Sequence, residues 1–179
     1  MKLYLCSIIA MVLFTSMFSC KSDAMAQPDQ SIENNFNFEL EKYLGTWYEI
    51  ARFDHKFERG LEQVTANYSM RPDGKIKVIN QGYKNGKLKT AEGKAKLVSP
   101  DTPRRLKVAF FLFFYAPYNI LELDEDYTYA LIGSETDDYL WILSRTPQMD
   151  AETYKMLLQK AKERGYDTSK LIKVKQPIP

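Results

Sequence analysis

Past Tyr43, apolar residues recur at every second position in short runs, and turn-forming residues separate the runs. A period of two marks half-buried strands. Residues 47–53 open the series and lead into a polar loop. Residues 64–70 stop at Arg71-Pro72-Asp73-Gly74, where proline presets φ and glycine accepts a positive φ. Residues 75–83 stop at Asn85-Gly86, a strong two-residue hairpin signal. Residues 88–98, 106–111, 118–123, 127–133 and 139–145 complete eight predicted strands. All connections are short, so sequential strands should pair antiparallel. The expected fold is all-β: an eight-stranded antiparallel up-and-down barrel, whose closure removes the sheet edges.

The alternation also assigns faces. Val64, Ala66 and Tyr68 stand against Thr65, Asn67 and Ser69; Ile76 and Val78 stand against Lys75 and Lys77. In the fifth run Leu106, Val108 and Phe110 stand against Lys107 and Ala109. These apolar sets should face inward. The fourth run puts Ala91, Gly93 and Ala95 on one face. Small inward residues leave room in an eight-stranded barrel, which can then hold one ligand instead of filling itself.

The period changes once, near the C-terminus. Tyr154, Leu157, Leu158 and Ala161 follow i, i+3, i+4, i+7 spacing, with Asp150 ahead as a cap and Gly165 behind. Glu152 in the first turn and Lys160, Lys162 and Arg164 near the end suit the helix dipole. So narrow an apolar stripe needs a surface to cover it, and the barrel wall provides one. A single C-terminal α-helix packed on that wall is therefore expected.

The N-terminus has a different character. Lys2 precedes a run, residues 3–18, that is apolar apart from Ser7, Thr15 and Ser16. A membrane span needs about 20 apolar residues, so the run reads as a secretory signal. A cut before Cys20 would make residues 1–19 a lipoprotein-type signal peptide with Cys20 as the lipid anchor. Ala24-Met25-Ala26 is the competing site and would release a soluble protein from Gln27. Residues 20–35, polar and aperiodic, read as a tether, and residues 36–179 as one domain. Cys6 and Cys20 are the chain's two cysteines, so the folded domain has no disulfide and depends on burial alone. The 25 basic residues nearly balance the 23 acidic ones, and no basic stripe calls for nucleic acid.

Gly45-Thr46-Trp47 at the head of the first strand and Ser144-Arg145-Thr146-Pro147 at the end of the last carry a family resemblance. They resemble the first and third motifs of the lipocalins, and Asp124-Glu125-Asp126-Tyr127 loosely resembles the second. The likeness runs from about Tyr43 to Lys175. It is nearest to bacterial outer-membrane lipoprotein lipocalins and to apolipoprotein D-like members. It implies that Trp47 seals the closed end of the barrel with Arg145 across its indole, so Gly45, Trp47 and Arg145 are structural.

The resemblance also implies a ligand: a fatty acid or lysophospholipid, held for storage or transport in the cell envelope, with the outer membrane as location. Tyr68, Asn80, Phe110, Tyr118 and Trp141 match positions that line the family's pocket. Strand phase independently turns Tyr68, Asn80 and Phe110 inward, and counting back from Arg145 does the same for Trp141. Asn119 matches a lining position as well, but within a regular strand only one of Tyr118 and Asn119 can face inward. No cofactor is implied. A lipid-modifying enzyme and a filled structural barrel are the alternatives.

His55, the chain's one histidine, lies in the loop after the first strand. With no second histidine and no cysteine in the domain, a metal site or a nucleophilic triad lacks partners. The expectation is a solvated loop residue. Residues 110–115, Phe-Phe-Leu-Phe-Phe-Tyr, carry more apolar side chains than alternation requires. Either the C-terminal helix covers this hairpin, or it forms a ligand-entry lip, a membrane-touching patch or a homodimer surface.

Overall fold

The structure, a computed structural model, describes residues 38–177; the expected signal peptide, Cys20 and the expected tether lie outside them. A single helical turn, α1 (Leu40–Tyr43), leads into β1 (Gly45–Phe53). Then follow β2 (Glu62–Met70), β3 (Ile76–Lys84), β4 (Lys87–Leu97), β5 (Arg105–Ala109), β6 (Ala116–Leu123), β7 (Tyr129–Gly133) and β8 (Leu140–Ser144). Each strand pairs antiparallel with the next, and β8 pairs with β1, so the eight-stranded barrel closes. The helix α2 (Ala151–Glu163) and a short β9 (Leu171–Lys173) complete the chain.

The expected strands are all present, with ends that differ by a few residues; β5 stops at Ala109 instead of running to Phe111. Neither α1 nor β9 was anticipated, because four- and three-residue elements carry no periodicity to detect. β9 pairs with the upper half of β1, where β1 parts from β2. The seam is closed by a side chain. The Gln176 amide donates to the backbone oxygens of Glu49 in β1 and Val64 in β2, both at 2.8 Å.

Two apolar layers share the barrel wall. The inner one holds Trp47, Tyr68, Val78, Leu106, Ile120, Ile132 and Leu143. The outer one lies under α2, where Leu157 and Ala161 are fully buried against Ala51, Phe53, Leu121, Leu131 and Ile142. Asp150 caps α2 as expected, accepting from the backbone N–H of Thr153. An ion pair of 2.7 Å between Arg164 and Glu122 ties the far end of α2 to β6.

Two strands change phase to serve both layers. The register of β1 slips between Glu49 and Ala51, and that of β6 between Ile120 and Glu122. A bulge inserts one residue and so reverses which face the following side chains occupy. Below its bulge β1 turns Trp47 inward; above it Ala51 and Phe53 join the outer layer. In β6 the slip brings Leu123 inward, in place of Glu122, while Leu121 lies under the helix.

Candidate ligand-binding cup

The closed end is built by α1 and the start of β1. The Trp47 indole donates to the carbonyl of Tyr43 at 2.8 Å. The Arg145 guanidinium carbon lies 3.9 Å from the centroid of the Trp47 ring. Its nitrogens donate to the backbone oxygens of Lys42 (2.6 Å), Thr46 (3.0 Å) and Tyr127 (3.2 Å). Gly45, at φ +92°, belongs to the same junction; a Cβ there would stand 3.4 Å from Nη1 of Arg145. A cation over an indole contributes roughly 0.5–2 kcal/mol, and here it also clamps three chain segments.

Above this plug three tyrosine hydroxyls form the floor. The Tyr118 hydroxyl is 2.6 Å from that of Tyr43 and 2.9 Å from that of Tyr68. Burial pushes all three hydroxyls above the ordinary phenol value, so they are neutral hydrogen-bonding groups. The inward member of the ambiguous pair is Tyr118; Asn119 is buried but does not line the cavity.

A cavity of about 730 Å³ rises from this floor, so the barrel is not filled. That volume falls within the roughly 300–1,000 Å³ typical of small-molecule sites. Tyr68, Asn80, Phe110, Tyr118 and Trp141 all line it. Val64, Ala66, Val78, Val108, Ile132 and Leu143 supply apolar wall between them. Asn80 Oδ1 is buried and, among the described residues, accepts no hydrogen bond. Gly93 decides the position of Phe110, because a Cβ there would stand 2.8 Å from the Phe110 ring. Of the alternatives open for residues 110–115, cover by α2 is not the one the structure shows. Phe111 and Phe113 are 69% and 78% exposed, while Phe110, Phe111 and Phe114 border the cavity at its open end.

Residues 38–176 match the family described as the lipocalin-like domain. The chain is a lipocalin. It is 47% identical over 165 residues to the outer membrane lipoprotein Blc of Escherichia coli K12, covering 91% of this chain and 93% of that protein. It is 43% identical over 126 residues to apolipoprotein D of Rattus norvegicus, covering 65% and 66%. Insecticyanin from the tobacco hornworm Manduca sexta has the same fold, with a TM-score of 0.65 at 22% identity over 79% of this chain and 82% of that one. Membership of this family, together with the cavity, makes the chain a binder of a small hydrophobic ligand.

One wall of this lipocalin's cup is charged, and strand alternation did not reveal it. Glu49 and Glu58, 4% and 6% exposed, both line the cavity, with the fully buried Arg52 behind them. Arg52 Nη1 donates to Glu49 Oε1 at 2.6 Å, and Nη2 to the backbone oxygens of Glu58 (2.8 Å) and Leu61 (3.3 Å). The bulge explains the meeting, because Glu49 and Arg52 would otherwise lie on opposite faces of β1. Burial, and secondarily the nearby Glu58, push the Glu49 carboxyl up to about 8 despite Arg52. Burial likewise raises Glu58, which accepts from the Trp141 indole at 3.1 Å.

His55 is not a solvated loop residue. It is 8% exposed, stacked on Phe57 at 4.5 Å between ring centroids and packed on Trp141 at 4.9 Å. Burial, with Arg52 next, lowers its imidazole to about 4, so it is neutral at ordinary pH. The loop after β1 folds back over the barrel mouth, which local sequence polarity did not indicate. A Glu-x-x-Arg pair within an apolar strand, followed by a second glutamate in the next loop, was the available signal.

Proposed function

We propose that this lipocalin stores or transports a single-chain lipid, a fatty acid or a lysophospholipid, in the bacterial cell envelope. The observation that carries the reading is the unfilled cavity, open at one end past Phe110, Phe111 and Phe114, above a closed floor. Burying an acyl chain returns about 0.8 kcal/mol per methylene, so a dozen methylenes yield micromolar affinity after association costs. Its place is the outer membrane, like that of the relatives named outer membrane lipoprotein, with a lipid on Cys20 as the anchor.

A lipid-modifying enzyme built on His55 gains no support from the geometry. Neither ring nitrogen hydrogen-bonds a hydroxyl among the described residues, so no nucleophile stands ready for proton transfer. The test is native mass spectrometry of protein purified from its own envelope. A mass increment matching one single-chain lipid, lost on delipidation and restored by adding that lipid, is the expected result. A delipidated, folded protein that takes up no fatty acid or lysophospholipid would overturn the reading.

A further inference from the structure

The charged wall bears on which lipid headgroup fits. Two carboxylates and one guanidinium meet there, and the guanidinium is committed. Arg52 pairs with Glu49 and with two backbone oxygens, and it is not part of the cavity surface. Glu58 is in a different position. Among the described residues its one ion-pairing neighbour is the imidazole of His55, 3.4 Å away, and burial keeps that ring neutral. Trp141 donates to one Glu58 oxygen; the second, Oε1, hydrogen-bonds nothing among the described residues. Likewise Glu49 gives one oxygen to Arg52, and the other has no hydrogen-bond partner among the described residues.

The wall therefore offers unpaired carboxylate oxygens to the cavity; Arg52 Nε lacks an acceptor among the described residues but is buried off the cavity surface, and Lys89 of β4 is the one cationic side chain on the lining. An anionic headgroup placed there would face two carboxyl groups. A cation would complete the pairing, and its attraction to the carboxylates would be set against the cost of stripping water from both.

The rings beside Glu58 fit the same ligand. Trp141 and Tyr139 stack at 5.9 Å with 10° between their planes, and Phe57 lies 6.3 Å from Tyr139. All three line the cavity with Glu58. Aromatic faces grouped about a carboxylate attract alkylated ammonium groups, because the ring quadrupole is negative over its face.

We propose that Glu58, with Trp141, Tyr139 and Phe57 around it, receives the ammonium of a single-chain lipid whose acyl chain occupies the cup below. The assignment rests on the reading of the cup as a carrier of single-chain lipids and narrows it to headgroups bearing a cationic nitrogen.

The pH dependence of binding follows from linkage. The groups facing this site are Glu49, Arg52, His55 and Glu58, with Lys89 and Glu135 also on the cavity lining. A permanent cation binds ionised carboxylates, so its affinity should rise as the pH climbs through about 8, where Glu49 loses its proton. A phosphate-bearing lipid without the ammonium should show a flat or falling profile over the same range.

The test is calorimetric titration of the delipidated chain with four probes of one acyl-chain length: lysophosphatidylcholine, lysophosphatidylglycerol, the fatty acid and the monoacylglycerol. Free choline is the fifth. At pH 8 lysophosphatidylcholine should bind at least ~10-fold tighter than lysophosphatidylglycerol, which keeps the phosphate but lacks the cation. Glu58→Gln should erase most of that preference. The rising pH profile for lysophosphatidylcholine needs no variant, so the assignment stays testable should Glu58→Gln fail to fold. Equal affinities for all four lipids with parallel pH profiles would overturn the ammonium assignment and leave the carrier reading standing. Binding of none of the four would sink the carrier reading itself. Choline binding as tightly as the lipid would overturn the single-chain-lipid form of the proposal, because the acyl chain would then contribute nothing.

Discussion

The indole Nε1 of Trp141 donates to Oε2 of Glu58 at 3.1 Å, joining β8 to the loop that folds over the mouth of the cup. The contact sets a fluorophore against a buried carboxyl on the cavity surface. The chain's other tryptophan, Trp47, sits under the floor. A single-chain lipid should therefore shift emission mainly through Trp141. Trp141→Phe should remove most of the signal while the fold survives, and Trp47→Phe should keep it. Equal contributions from the two indoles in a lipid titration would contradict this placement.

Strand phase gives a second expectation about binding. Tyr68 and Phe110 border the cavity, whereas Lys77 projects from the outer face of β3 toward Glu92 at 3.1 Å. Tyr68→Asp or Phe110→Asp should weaken lipid binding by tenfold or more, because an unpaired charge is brought into an apolar site. Lys77→Asp should change it about twofold at most. Comparable losses at inward and outward positions, measured by calorimetry, would show that the phases are misassigned.

Much of this was legible in the sequence. Alternation in β2, β3 and β5 located Tyr68, Val78, Asn80 and Val108 on the inner face, and Ala91, Gly93 and Ala95 announced the space. The charged wall was not legible. Alternation assumes that phase persists along a strand, and the slip between Glu49 and Ala51 breaks that assumption where Arg52 turns in. His55 was missed for a related reason: a polar loop reads as solvated unless its aromatic neighbours, Phe57, Tyr139 and Trp141, are known to converge on it.

The plug beneath the cup should be the costliest place to cut. Trp47 is fully buried, and its loss leaves a cavity beneath Arg145 and Tyr43. Trp47→Ala should destabilise the fold by roughly 3–5 kcal/mol, a melting-temperature loss of at least about 6 °C. Calorimetry that finds the transition unmoved would deny Trp47 its role as the seal.

Stability should also fall between pH 6.5 and 8. The raised Glu49 contributes stability that is complete below its ordinary 4.5 and is lost as pH climbs through about 8. The depressed His55 acts oppositely: its contribution is present above the ordinary 6.5 and is lost as pH falls toward about 4. Between 4.5 and 6.5 the two effects oppose each other. Above 6.5 the imidazole no longer contributes to the change, and the loss through Glu49 should reach about 1–2 kcal/mol by pH 8. Glu49→Gln keeps an acceptor for Arg52 and should flatten this limb in melts run at several pH values. A limb that persists in the variant would assign the effect to another group.

Gln176 offers a test of the seam. Removing its amide strands the backbone oxygens of Glu49 and Val64 where β1 and β2 part. Gln176→Ala should therefore destabilise the barrel by about 1–3 kcal/mol and speed amide exchange along the upper half of β1. Gln176→Glu lacks the donor and should be at least as damaging. Wild-type exchange rates in both variants would mean the seam holds without it.

The floor of three tyrosines has a further consequence. Their hydroxyls carry three protons but make only two contacts, Tyr43 to Tyr118 and Tyr118 to Tyr68. One proton is left over, and no other acceptor among the described residues takes it. Higher up the balance reverses, because Asn80 Oδ1, Glu49 and Glu58 hold lone pairs that no donor among the described residues fills. The cup is therefore graded along its axis, with surplus hydrogen at the bottom and surplus oxygen near the top. A symmetric greasy tube would accept an amphiphile in either direction, but this one discriminates between the two ends of its guest.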